Sequence, residues 1–281
     1  MNEPNAFLDP ARQQELYGNA SRLSGRTSAL MRAKTSGNPV PETIVSLVQT
    51  HHAQPDRLGV VLDIGCGRGT SSLGIAEQLR PQRVVGLDAA PSLLAQARER
   101  AKELPDITVD FVEGDFHDLP LPAGSCDVAV AAFCLYHSPQ PKDVIAQIAR
   151  VLSPGGLAVL VTKALDSYRE MDQLVASAGL DARGDRHESL YTAAHSGNLA
   201  DLTASSLDVI AVLDEEHAFT FDGHDHTAQY LATNPKYHLA PGLYGNPGAM
   251  AAALHEFLPD HPLTTRSLIT FVVAHPRKGQ A

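Results

Sequence analysis

From about residue 58 to about residue 180, short apolar runs alternate with amphipathic ones, and this alternation leaves the chain few folds to choose from. "LGVVLDIG", "RVVGLD", "ITVDFVEGD", "SCDVAVAAFCL" and "LAVLVTKA" read as strands, each bounded by turn residues. "TSSLGIAEQL", "PSLLAQARERAKEL" and "PKDVIAQIARVL" read as the helices between them, the last stopped by "SPGG". The strands are apolar on both faces, as parallel strands covered by helices on each side must be. Right-handed crossovers then produce an open, doubly wound sheet.

The expected architecture is therefore α/β, a Rossmann-like, mostly parallel sheet with an antiparallel final strand from "LTTRSLITFVVAHP". Residues 1–56 read as an N-terminal helical cover, 57–213 as the core, 214–262 as a substrate-covering insertion, and 263–281 as the final strand and tail. The insertion is assigned because that stretch is too long for an ordinary loop. Within it "HDHTAQYLATNP" and "NPGAMAAALHEFL" read as helical, after a strand or hairpin in "LDVIAVLDEEHAFTF".

Ligands of such sheets sit beyond the carboxyl ends of the strands. Four groups of residues follow strand ends here: Asp63 to Gly69, Asp88, Asp115, and Phe133 to His137. In "DIGCGRG", Gly65, Gly67 and Gly69 permit a tight turn and close backbone approach to a ligand. The spacing is neither G-x-G-x-x-G nor the G-x-x-x-x-G-K-[ST] phosphate loop. Asp63 stands just before the turn, where a carboxylate repels a pyrophosphate and tolerates an ammonium or sulfonium. Asp88 is placed to accept from two ribose hydroxyls, or to cap the next helix. Asp115 either meets a ligand or stabilises its own turn, and Phe116 is either beside that ligand or in the core.

Taken together, "LDIGCGRG", "VVGLDAAPSLLAQARERA", "VEGDFHDLPLPAGSCDVAV" and "AFCLYHSPQPKDVIAQIARVLSPGGLAVLV" resemble the ordered motifs of class I S-adenosylmethionine-dependent methyltransferases. The likeness is strongest to the group that modifies quinones, sterols and small natural products, and it covers about residues 58–163. The resemblance implies S-adenosyl-L-methionine as cofactor. It implies that the loop of Gly65, Cys66 and Gly67 faces the methionine portion and that Asp63 organises its amino group. It places Asp88 on the ribose, Ala89 beside the adenosine, Asp115 on the adenine amino group, and the Phe116 N–H on a ring nitrogen. Phe133 would lie near the amino-acid end of the cofactor.

Methyl transfer is an in-line displacement that needs alignment, exclusion of water, and a base where the acceptor carries a proton. His137 in "CLYHSP" is a candidate base, or a histidine that orders the loop. The resemblance also implies that Tyr17, in an N-terminal helix, closes the pocket at the reacting end as a second candidate; otherwise it is a core or surface residue. Tyr136, Tyr230, Tyr237, His238 and Tyr244 are candidate acceptor contacts. The run Arg22, Arg26, Arg32 and Lys34 is either a solvated helix face or a site for an acidic group. "DGHDH" reads as a polar turn, and no metal is expected. The expected acceptor is a small polar molecule methylated on nitrogen or oxygen. An NAD-dependent oxidoreductase working at Tyr136 or His137, and a non-catalytic cofactor-binding regulator, are the competing readings.

Composition narrows the remaining classes. A formal charge of -10 opposes nucleic-acid binding. Three cysteines cannot all pair within one chain, which points to reduced thiols and a cytoplasmic protein. No apolar stretch approaches the roughly 20 residues of a membrane span, and the first fifteen residues lack the apolar core of a secretory signal.

Overall fold

A computed structural model describes residues 5–18, 20–104 and 108–277, with no description of the side chains of residues 20–23. Its strands are β1 (Lys34–Ser36), β2 (Val60–Ile64), β3 (Arg83–Asp88), β4 (Val109–Glu113), β5 (Cys126–Ala132), β6 (Leu152–Lys163), β7 (Leu207–Phe221) and β8 (Leu263–Pro276). Its helices are α1 (Pro10–Gly18), α2 (Ala20–Ala33), α3 (Val40–His51), α4 (Thr70–Leu79), α5 (Pro91–Ala101), α6 (Pro141–Val151), α7 (Arg169–Ser177), α8 (Leu199–Thr203), α9 (His224–Leu231) and α10 (Pro247–Phe257).

The strand order is β1-β7-β8-β6-β5-β2-β3-β4. β4, β3, β2, β5 and β6 are mutually parallel. β8 runs antiparallel to β6, as expected of the final strand. From β2 the chain builds β3 and β4 on one side, then returns to build β5 and β6 on the other. That reversal opens a crevice at the carboxyl ends of β2 and β5, where such sheets bind ligands.

The chain divides into two compact units. One comprises Asn38–Lys163, Ala193–Asp214 and Ile269–Ala281; the other comprises Met1–Gly37, Ala164–Thr192 and Glu215–Leu268. The core of the first unit brings Val61, Val84, Val128, Val130, Leu157, Val159 and Phe271 against Ile44, Val48, Ile75 and Leu79. α3, grouped with the N-terminal cover on sequence grounds, packs into this core through Ile44, Val45, Leu47 and Val48. Proline opens α3, α5 and α6, where a missing N–H costs nothing. The core of the second unit gathers Tyr168, Met171, Val175, Phe219, Phe221, Tyr230, Leu231, Tyr237, Met250 and Leu254.

One local reading is corrected and two are refined. "SPGG" does not separate α6 from the next strand: β6 begins at Leu152, and the irregularity is absorbed in its register with β5 while Gly155 takes φ +85°. "LDVIAVLDEEHAFTF" is one strand, not a hairpin, because no turn residue interrupts it. The first 56 residues are not wholly helical, since Lys34–Ser36 pairs with β7.

Candidate functional site

The site is built from four turns in the first unit, each following a parallel strand. The first is Gly65 to Gly69, between β2 and α4. Gly65, Gly67 and Gly69 all have positive φ, at 64°, 54° and 71°. Only two of the three are also crowded. A Cβ on Gly65 would stand 2.4 Å from Cys134 Cβ, and one on Gly69 would stand 2.9 Å from the Phe111 ring. Gly67 has open space above it, so its glycine serves backbone conformation and leaves the peptide accessible.

Asp63 lies beneath this turn and is 1% exposed. Burial, opposed by a hydrogen bond from Ser72 and reinforced by the charge of Asp88, pushes its carboxyl up to about 7. The Ser72 hydroxyl, in the first turn of α4, donates to Asp63 Oδ2 at 2.5 Å. Among the described residues neither Asp63 nor Asp88 forms an ion pair with a cationic side chain.

Asp88 closes β3. Its Oδ2 accepts from the Gly67 N–H at 2.8 Å and its Oδ1 from the Ala90 N–H at 2.9 Å. Burial raises its pKa against these backbone bonds. One carboxylate thus fixes the glycine turn and the start of α5 together. Ala89 is exposed beside it. The Cys66 N–H donates to the Leu87 carbonyl at 2.9 Å, tying the same two turns along the backbone.

The third turn follows β4 and is tied to β3 through Gly114 N–H and the Asp88 carbonyl, 3.1 Å apart. Asp115 is exposed. Partial burial works against its charge, but the backbone and ring of His117 prevail and hold its carboxyl below the usual range. Both bonds fall on Oδ1, from the His117 N–H at 2.8 Å and the Nδ1 at 2.7 Å. His117 Nε2 meets the buried Ser138 hydroxyl at 2.8 Å, and Ser138 accepts the Gln140 N–H at 3.0 Å. Phe116 is half-buried and stacks on His117 with centroids 4.7 Å apart.

The fourth turn follows β5. Phe133 has φ +59° and donates its N–H to the Val161 carbonyl at 2.9 Å. Lys163 Nζ stands 5.0 Å from its ring centroid. Cys134 packs on Gly65 and donates to the Ile64 carbonyl at 3.2 Å; burial pushes its thiol far up, so it is packing rather than a nucleophile. Burial raises the Cys66 thiol in the same way. Tyr136 is buried and His137 half-buried, within a tight turn at Leu135–His137, their rings 4.8 Å apart.

The first unit thus brings Asp63, Gly65, Cys66, Gly67, Asp88, Ala89, Asp115 and Phe116, with Phe133, Tyr136 and His137, onto the carboxyl ends of adjacent strands. The remaining candidates lie in the second unit. Tyr17 is half-buried on α1, Tyr244 half-buried in a turn, and His238 exposed. Tyr230 and Tyr237 are core residues, and the Tyr237 hydroxyl donates to Asp172 Oδ1 at 2.8 Å. In the basic run, Arg26 donates to the Thr233 carbonyl at 2.6 Å and Arg32 to Gln229 Oε1 at 2.5 Å. The Arg22 side chain lies outside the described residues. "HDH" is not a turn: His224 and His226 open α9, with His224 buried and His226 Nε2 against the Ala29 carbonyl at 2.9 Å. Sequence reasoning missed Ser72, His117, Ser138 and Phe111. Only His117 left a signal, two residues after Asp115 in "GDFHD".

The three cysteines are free and buried. No helix among the described residues is long and apolar enough to cross a membrane.

Comparison with known proteins bears on this arrangement. Residues 61–156 match the model of a methyltransferase domain. The chain is 33% identical over 162 residues to demethylmenaquinone methyltransferase of Lactococcus lactis, covering 57% of this chain and 62% of that one. It is 38% identical over 101 residues to the chloroplastic 2-methyl-6-phytyl-1,4-hydroquinone methyltransferase 2 of Oryza sativa, covering 36% and 28%. These matches span less than two thirds of each relative's length. Among solved structures, the cyclase SpnF superposes with a TM-score of 0.59 at 20% identity, covering 98% of both chains. A methyltransferase-like protein of Bacillus halodurans superposes with a TM-score of 0.56 at 17% identity, covering 83% of this chain and 98% of that one. Residues 61–156 match a methyltransferase domain, and the chain shares its Rossmann-like fold with these solved structures.

Proposed function

We infer that this protein is an S-adenosylmethionine-dependent methyltransferase that acts on a nitrogen or oxygen of a small polar metabolite or natural product. One observation carries the reading. The glycine turn sits over a sealed carboxylate, Asp63, with a second, Asp88, close enough to raise its pKa and, among the described residues, no cationic side chain paired to either. Such a floor favours a positively charged ligand and repels a pyrophosphate. An ammonium-bearing sulfonium fits it; a nicotinamide dinucleotide does not.

The bound cofactor supplies an electrophilic methyl group to an acceptor lone pair. The chain's part is to hold and align. Gly65, Cys66 and Gly67 form the turn that faces the methionine portion, and Asp63 holds the ammonium directly or through water. Asp88 keeps lone pairs for the ribose hydroxyls while its backbone bonds fix the turn. Ala89 leaves room beside the adenosine. Asp115 has Oδ2 available for the adenine amino group, because its protein bonds fall on Oδ1. The Phe116 N–H meets a ring nitrogen, and Phe133 faces the amino-acid end. His137 takes the proton of an N–H or O–H acceptor. Tyr136, Tyr17, His238 and Tyr244 are acceptor-side candidates. Tyr230 and Tyr237 are committed to their own unit's core.

The fold alone does not choose the reaction, since a cyclase shares it. Calorimetry with S-adenosylmethionine, its demethylated product and NAD tests the cofactor. Binding of both sulfur compounds and not of NAD is expected; the reverse defeats the reading. Incubation with labelled cofactor and panels of amines, phenols and sugars, followed by mass analysis, then locates the methyl. Tight cofactor binding with no labelled product from any acceptor would favour the regulator.

A further inference from the structure

The second unit holds a cavity of about 280 Å³ that shares His238 with the acceptor-side candidates and is otherwise outside the methyl-transfer reading. Its lining carries four permanent cations, Arg12, Arg183, Arg186 and Lys236, and two histidines, His187 and His238. Among the described residues of the lining one carboxylate, the exposed Glu188, faces them. In a chain of net charge -10, this is a local reversal of sign.

The wall is constructed, not incidental. Asp181, with a side chain 7% exposed, is the centre around which residues 181–187 fold. Its Oδ1 accepts the Arg183 N–H at 3.0 Å; its Oδ2 accepts the His238 N–H at 2.7 Å and meets His187 Nε2 at 2.6 Å. Partial burial opposes its charge, but these bonds hold its carboxyl below the usual range. The same turn sets Arg183 and Arg186 three residues apart, with the Arg186 N–H on the Arg183 carbonyl at 2.8 Å. On the other side, Lys236 is anchored by Asp172 Oδ2 at 2.6 Å, with both side chains largely buried. Asp172 in turn accepts from Tyr237 at 2.8 Å. Each acid behind the wall is thus saturated by donors.

The cations at the rim are weakly held. Arg12 faces Glu15 at 3.6 Å and Arg186 faces Asp185 at 3.7 Å, both in exposed pairs of the kind worth little. The Arg183 guanidinium has neither an ion pair nor a hydrogen bond among the described residues. Arg183 and the loosely paired Arg12 and Arg186 leave guanidinium donors for an anion, and guanidinium forks suit phosphoryl oxygens.

We propose that this cavity binds a phosphoryl group, as a phosphate or diphosphate, free or on a small molecule. The proposal stands apart from the methyl-transfer reading. The volume is at the small end for ligand sites, which suits a compact, highly charged group. A metal is the competing occupant, because ligand atoms of Asp181, His187 and His238 lie within 4.8 Å of one another. Asp181 is already satisfied by three donors, however, and a dication there would sit among four like charges.

Titration of the full chain with inorganic pyrophosphate, by calorimetry and thermal shift at low salt, is the direct test. Saturable binding with a raised melting temperature is expected. Arg183→Gln and Arg186→Gln, both on exposed residues, should each weaken it about tenfold without changing the melting temperature of the free protein. S-adenosylmethionine affinity should be unaffected, so failure here is separable from failure of the cofactor reading. Phenyl phosphate binding tighter than inorganic phosphate assigns the headgroup of a phosphorylated metabolite; equal binding assigns the free anion. No saturable pyrophosphate binding, binding unchanged in the double variant, or saturable zinc binding lost in Asp181→Asn would each overturn the proposal.

Discussion

Ser72 donates its hydroxyl to Asp63 at 2.5 Å beneath the glycine turn, with both residues sealed from solvent. One neutral hydrogen bond does not compensate a buried carboxylate, and burial moves Asp63 from an ordinary 3.8 to about 7. In the unfolded chain Asp63 ionises near its ordinary value; in the folded chain it keeps its proton until about pH 7. Folded molecules therefore bind more protons across that window, and stability falls as pH rises from about 4 to about 7, then levels. The full shift corresponds to something on the order of 4 kcal/mol. Melting curves of the wild type and Asp63→Asn across pH 4 to 8 check this. The difference between them should narrow or reverse towards pH 8, and parallel curves would contradict it.

Cofactor binding should draw on the same group. An ammonium beside Asp63 stabilises its charged form, so binding near pH 6 expels a proton that the free protein retained. Calorimetry in buffers of different ionisation enthalpy reads that release directly. The wild type should show a buffer-dependent heat and Asp63→Asn should not. A buffer-independent heat in the wild type would remove Asp63 from the ammonium.

Gly65 carries two penalties against a side chain: a positive φ and contact with Cys134. Gly65→Ala should lose roughly 2–4 kcal/mol, combining left-handed strain with overpacking. Gly67→Ala has the strain without the crowding and should lose less stability. Denaturant midpoints of the two variants settle the order.

Much of this was readable in advance because it is local. The alternation of runs fixes a parallel sheet, and strand ends place Asp63, Asp88 and Asp115 beside one crevice. Positive φ at Gly65 and Gly67 follows from the turn between β2 and α4. What was hidden is long-range or indirect. Nothing near Gly65 announces Cys134, which arrives from the end of β5. Ser72 looks like any helix-start serine until Asp63 is found under it. Tyr230 and Tyr237 looked like pocket aromatics, because spacing cannot tell a cavity wall from a core that only residues far apart in sequence complete. The histidines of "DGHDH" suffered the same ambiguity: His224 is buried and its N–H donates to Asp260 Oδ1 at 2.8 Å.

Asp88 has two duties that substitution can separate. Asp88→Ala removes the acceptor for Gly67 and Ala90, costing about 2 kcal/mol of stability, and also the proposed ribose contact. Asp88→Asn keeps one acceptor oxygen but sets its NH2 against the other N–H, so it should restore only part of the stability while leaving cofactor affinity at least tenfold reduced. Melting temperature and cofactor titration, run on both variants, distinguish the duties. Equal affinity in all three proteins would reject the ribose contact.

His137 is testable once an acceptor is found. With a hydroxyl acceptor, His137→Ala and His137→Gln should lower turnover about 100-fold and flatten its rise with pH. Unchanged turnover at saturating acceptor in both folded variants would leave His137 ordering the turn only.

The second unit is assembled from three stretches, the last of them ending at Leu268. During synthesis its opening stretch must therefore wait while more than two hundred residues are added. At ribosomal rates of roughly 5–20 residues per second that delay is tens of seconds at the slower end. Apolar residues of α2 such as Ala29 and Ala33, buried in the finished unit, wait for core partners that begin only at Tyr168 and end at Leu254. Part of the second core is accordingly made long before the residues that cover it.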